Sequence, residues 1–218
     1  VKDFIEWLCL NLPTLSVHLR VSRSRFVGLA IDQEVRGIEA VHALYQWGGD
    51  WNVVRAELRL LRVGLRLALR ARDEQATHTA CLAILKWGSV DGAIPFLGEQ
   101  LKQRTLVHYL NACRPLLCLD STQRLSELTN KSILRFDSGM TKIHSLLDTS
   151  GSPIYDGRVG AAIALLYHLY REQTATSELS ALKFAWGPGK GNQIRNPKNL
   201  QLGYKGSPQL TSASGHLW

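Results

Sequence analysis

Apolar residues recur along this chain at the spacing of an α-helix, in blocks separated by short polar punctuation. The pattern predicts helices over 35–47, 51–72, 74–87, 106–119, 141–147 and 157–170. The breaks fall where Gly, Ser, Pro and Asp cluster: Gly48-Gly49-Asp50, Arg72-Asp73, the stretch 88–92 and the stretch 149–153. Asp50, Asp73 and Asp120 stand where an N-cap is expected, and Pro115 predicts a kink or a break in its segment. Trp47 and Trp87 each end a block against a glycine, the context of a helix C-terminus with a packed indole. No series of short strands with turn punctuation appears, so the expected class is all-α, a single multi-helix domain.

The helical pattern stops near Ala185. Residues 186–218 are rich in Gly, Pro, Asn and Ser and contain no acid. The expected division is a helical domain over 1–185 and an irregular basic tail over 186–218, ordered only where it packs or binds.

With 218 residues, 45% of them hydrophobic, the chain is long enough for a substantial core. It has no apolar run of 18 residues, so no membrane span is expected. Asp3 and Glu6 argue against a secretory leader, and a cytoplasmic location is expected. Cys9, Cys81, Cys113 and Cys118 form no CxxC pair and lie in apolar stretches, which predicts buried free thiols. No HExxH or HxxxH pair and no phosphate-binding glycine loop occurs, so neither a metal nor a cofactor is expected.

The net charge of +8 raises the prospect of a polyanionic partner. Arg55, Arg59, Arg62, Arg66 and Arg70 follow one another at steps of four, three, four and four, which aligns them on one helical face. Val54, Leu58, Leu61, Leu65 and Leu69 occupy another face and predict the core side. Such an arginine row suits bidentate phosphate contacts, and it equally suits a solvated face paired with acids of neighbouring helices.

The densest chemistry lies between Phe136 and Ile163. A small-residue turn, Asp137-Ser138-Gly139, opens one helix carrying Lys142. A second turn leads to Pro153-Ile154-Tyr155-Asp156-Gly157-Arg158-Val159, which delivers Asp156 to the start of an Ala-rich helix. The free amides of a helix's first turn favour an ionised carboxylate there. Gly157, Gly160, Ala161 and Ala162 leave space around it. Most aspartates in such a position only cap the helix. One with room in front of it also suits a reaction that develops positive charge.

This arrangement resembles the helix-hairpin-helix DNA glycosylase superfamily, which includes 8-oxoguanine glycosylases and endonuclease III. The resemblance covers about residues 136–170. Pro153, Asp156 and Val159 are similar to the family's Pro-x-Asp-x-x-Val segment, with one more residue between Pro and Asp, and Lys142 is similar to its lysine nucleophile. The turn keeps one glycine of the family's hairpin, the Lys-to-Asp spacing is short, and no iron–sulfur cysteine cluster is present.

The resemblance implies a DNA glycosylase acting on double-stranded DNA with the base flipped out, with Asp156 stabilising the sugar cation. With water as nucleophile an abasic site results; with Lys142 as nucleophile, a Schiff base and strand nicking follow. It also implies phosphate contacts at the Ser138-Gly139 turn, with Arg55, Arg59, Arg62, Arg66, Lys190 and Arg195 as further basic candidates; Arg158, beside Asp156, could pair with it or grip a phosphate. Trp186 and Tyr155 are candidates for base stacking. The substrate would be endogenous damage or a hypermodified phage base, the latter implying a defence role; either would place the protein at the bacterial nucleoid. Two other readings stand beside it: a non-catalytic nucleic-acid-binding module that uses the arginine row, and a scaffold whose basic face meets an acidic protein.

Overall fold

The computed structural model describes residues 2–21, 23, 29–44, 50–120, 127–129 and 131–174. In chain order these form α1 (Lys2–Asn11), β1 (Ser16–Val21), β2 (Ile31–Arg36), α2 (Ile38–Ala43), α3 (Trp51–Arg70), α4 (Glu74–Trp87), α5 (Ile94–Lys102), α6 (Leu106–Leu117), α7 (Ser138–Leu147) and α8 (Gly157–Thr174). The structure is therefore mostly helical. The departure is a small antiparallel hairpin in which Ser16 faces Arg36 and Val21 faces Ile31.

The hairpin corrects the expectation of a helix from Val35. Val35 and Arg36 complete β2, and the helix that follows is only Ile38–Ala43. Gly37 separates them at φ 86°, and a Cβ there would overlap the Pro13 carbonyl. Only glycine meets both conditions. Two short strands make no series, which is why their period-two alternation did not register as sheet.

The described residues gather into two compact units. One comprises residues up to Val54 together with α8 from Arg158 onward. Its core is aromatic: Phe4, Trp7 and Tyr167 are buried, with Tyr170 and Leu166 against them. Phe4 meets Tyr167 edge to face at 5.2 Å between centroids, and the Trp7 indole N–H donates to Gln173 Oε1 at 2.9 Å.

The other unit runs from Arg55 to Gly157. Leu65 and Leu69 of α3, Ile84 and Leu85 of α4, Leu97 of α5, Leu106 and Leu110 of α6, and Met140, Ile143 and Leu146 of α7 share one core. Helix α4 spans the predicted residues, with the Asp73 side chain accepting from the Ala76 amide at 2.8 Å. Asp50 likewise accepts from the Asn52 amide at the head of α3. Asp120 precedes residues outside the description. α6 runs two residues past Pro115, so the proline ends the helix rather than splitting it. α5 was not anticipated. Pro95 sits in its first turn, where its missing N–H has no helical partner to lose.

Helices α3, α4 and α5 are each followed by a left-handed non-glycine residue: Arg72, Ser89 and Arg104. At the end of α4 the left-handed residue is Ser89, while Gly88 keeps right-handed angles. Gly88 therefore has another role, described below. The expectation of four buried thiols holds for Cys81 and Cys113, whose pKa values burial pushes up to about 12 and about 11. It fails for Cys9, which is exposed, and Cys118, which is half-buried.

Candidate functional site

Asp137 anchors the entrance to α7. Its carboxylate accepts from the amides of Gly139 and Met140, both at 2.9 Å. Arg135 holds the same carboxylate through Nε at 2.6 Å and donates to the Gly92 carbonyl at 2.7 Å. Gly139 is buried against α4, and a Cβ there would stand 2.9 Å from Leu85 Cδ2. The turn Ser138-Gly139 thus packs inward, with the Gly139 amide engaged by Asp137, so it does not present a row of free amides.

Lys142 is only 6% exposed. Its ammonium donates to the Ser138 carbonyl one turn earlier at 2.8 Å. Its stem lies against the bare Cα of Gly88: a Cβ on Gly88 would stand 2.5 Å from Lys142 Cδ and 2.6 Å from Cε. Gly88 makes room for this lysine, a role that a helix-ending glycine does not advertise in sequence.

The connection from α7 to α8 is fastened at several points. Asp148, buried at the end of α7, accepts from the Ser150 amide at 3.0 Å and the Ser152 amide at 2.7 Å, and from the Ser150 hydroxyl at 2.7 Å. Burial opposes its charge, yet the donors from Ser152 and Ser150 outweigh that and hold its carboxyl well below the usual range. The Ser152 hydroxyl donates to the Leu117 carbonyl at 2.8 Å, and the Ser145 hydroxyl donates to the Ser152 carbonyl at 2.7 Å. The loop is thereby pinned to the ends of α6 and α7.

Beyond it, the Thr141 hydroxyl donates to the Tyr155 carbonyl. This bond ties the residue before Asp156 to the residue before Lys142. Asp156 itself is half-buried and immediately precedes the first residue of α8. Burial, then the charge of Asp156, raises the pKa of half-buried Tyr155. Arg158 is exposed in the first turn of α8.

No protein family, curated protein or solved structure matches the chain. The glycosylase resemblance therefore rests on the residues of the α7–α8 region.

Along α3, Arg55, Arg59, Arg62 and Arg70 are exposed and Arg66 is half-buried. None of the five has an ion-pair partner among the described residues. Arg66 donates to the Leu147 carbonyl at 3.4 Å. Burial and then the charges of Arg114, Arg62 and Arg70 lower its pKa, against a smaller opposing effect of Asp148. Lys190, Arg195 and Trp186 lie outside the described residues. Among the described residues no group of His, Cys, Asp or Glu is placed to hold a metal, and no helix is long and apolar enough to cross a membrane.

Sequence reasoning missed His144. It is buried in α7, its ring lies parallel to Phe136 at 6.3 Å between centroids, and neither ring nitrogen has a hydrogen-bond partner among the described residues. Its helical phase with Met140 and Leu147 was the available signal.

Proposed function

We propose that the chain is a DNA glycosylase-like enzyme that hydrolyses the N-glycosidic bond of a damaged or modified base, with Asp156 as the carboxylate facing the sugar. The observation that supports this reading is the tether from Thr141 to the Tyr155 carbonyl, which holds the segment leading to Asp156 against α7. A carboxylate at a helix start, with the segment before it fastened, is preorganised for charge that develops only in the transition state.

In the proposed reaction the C1′–N bond breaks and its electron pair leaves with the base, which takes up a proton. The oxocarbenium ion left on the sugar faces Asp156. Water then adds to C1′ and passes its proton to Asp156 or to solvent, leaving an abasic site. Lys142 donates to Ser138 from within the core, so water is the better nucleophile of the two. The exposed arginines of α3 supply phosphate contacts, and Arg158 another. Repair and defence against phage are both compatible with this chemistry.

The test is Asp156→Asn, with released bases measured by mass spectrometry on genomic and phage DNA. Base release should disappear while DNA binding persists. Unchanged release by the variant, or no release by the wild type from any DNA, refutes the enzyme. A second reading, a non-catalytic nucleic-acid-binding module, is favoured by the arginines of α3, which have no ion-pair partner among the described residues. On that reading Arg59→Glu with Arg66→Glu lowers the slope of log K against log salt by about 2.

A further inference from the structure

Helix α3 has three faces. Leu58, Leu61, Leu65, Ala68 and Leu69 face the core, and the arginines form a second face. The third is apolar and open: Leu60 is 73% exposed, Val63 52% and Leu67 58%. Ala56 and Gly64 are exposed on the same arc, and a Cβ on Gly64 would meet nothing within 4 Å. Single exposed apolar residues are ordinary, but a contiguous row is not.

The row has a register. Ala56, Leu60, Val63 and Leu67 are spaced four, three and four apart, the a/d alternation of a coiled-coil seam. Arg59 and Arg66 then fall on the flanking g positions, with Glu57 and Gly64 on the opposite flank. Arg70 takes the next seam position and ends it.

The flanking charges select the occupant. In an antiparallel pair of this helix with itself, Arg59 and Arg66 would face the same arginines of the other copy. In a parallel pair they would face Gly64 and Ala71, which carry no charge. Neither pairing supplies an acid. A bilayer would meet a stripe one side chain wide with a gap at Gly64, whereas helices that lie on membranes present a broad apolar face. We propose that this face of α3 docks an amphipathic helix of another protein, one with an apolar 3-4 repeat and Asp or Glu opposite Arg59 and Arg66. Leu60, Val63 and Leu67 supply the contact area, Gly64 admits a close-lying side chain, and the arginines set register and partner choice.

The test uses the full-length chain and a synthetic helical peptide with Leu at a and d and Glu at e and g. A sibling peptide with Lys in place of every Glu is the control. The Glu peptide should bind saturably, with the Lys peptide about ten-fold weaker or more. Leu60→Glu and Leu67→Glu should each abolish binding while circular dichroism stays unchanged. Leu60→Gln serves where the glutamate variant unfolds. No saturable binding, equal binding of both peptides, or binding insensitive to these variants overturns the proposal. So does a reversible dimer that Leu60→Glu dissolves, which assigns the face to a second copy. Flotation with phosphatidylserine vesicles that Leu60→Glu abolishes also overturns it, assigning the face to a membrane. Asp156→Asn leaves peptide binding untouched, so failure of the catalytic reading and failure of this one are distinguishable.

Discussion

The buried imidazole of His144 makes a quantitative prediction about acid stability. The residue is 5% exposed, stacks on Phe136, and has no hydrogen-bond partner for either nitrogen among the described residues. Burial lowers its pKa from 6.5 to about 4, with Asp137 acting weakly in the opposite direction. In the unfolded chain the same group protonates at about 6.5. Between those values the unfolded state binds a proton that the folded state refuses, so stability present above about pH 6.5 is lost as the pH falls toward 4. The loss attributable to this residue reaches about 2.5 kcal/mol near pH 4.5, a large part of the 5–15 kcal/mol typical of a domain. Urea unfolding of the wild type and His144→Leu, at about pH 7.5 and about pH 4.5, isolates the effect, since other acids titrate in both proteins. Leucine is close to histidine in volume, so the variant should match or exceed the wild type in stability at neutral pH and gain about 2.5 kcal/mol on it in acid. A stability difference between the two proteins that does not change with pH would refute the reasoning.

Gly88→Ala should destabilise the protein by about 1–3 kcal/mol, because its methyl would fall on the Lys142 stem. In a Lys142→Ala background most of that cost should vanish in a double-mutant cycle of urea unfolding. Asp137→Ala should cost about 1–2 kcal/mol by thermal or urea unfolding, since two first-turn amides of α7 lose their acceptor. Asp148→Asn should cost about 1–3 kcal/mol at neutral pH. Its folded pKa is depressed, so the stability it adds is present above about pH 4 and fades below it, and the difference from wild type should shrink on acidification. Thr141→Val removes the hydrogen bond from Thr141 to the Tyr155 carbonyl; base release measured by mass spectrometry should fall while DNA affinity holds.

Helix α4 illustrates what local signals settle. Asp73 supplies the cap, apolar residues recur at helical spacing through Trp87, and the structure has a helix over those residues. The entry into α8 is similar: Pro153 and Gly157 bound a short non-helical piece, and Asp156 stands before the first helical turn. The hairpin and α5 were not legible. Six-residue strands and a nine-residue helix carrying a glycine are too short for periodicity to separate them from their surroundings.

The sequence by itself determined most helical segments, the phase of the arginine row on α3 and the position of Asp156 ahead of a helix. These follow from spacing and from residues that cap or break, which act within a few positions of themselves. Only the tertiary structure decided that Lys142 lies buried in a slot opened by Gly88, that His144 is enclosed with no hydrogen-bond partner among the described residues, and that Asp148 gathers donors from Ser150 and Ser152. The core face of α3, with Leu58, Leu61, Leu65 and Leu69, was legible in the spacing, whereas the exposure of Leu60, Val63 and Leu67 was decided by the tertiary structure. Burial is set by what distant segments bring to a residue, and helical periodicity contains no record of those segments.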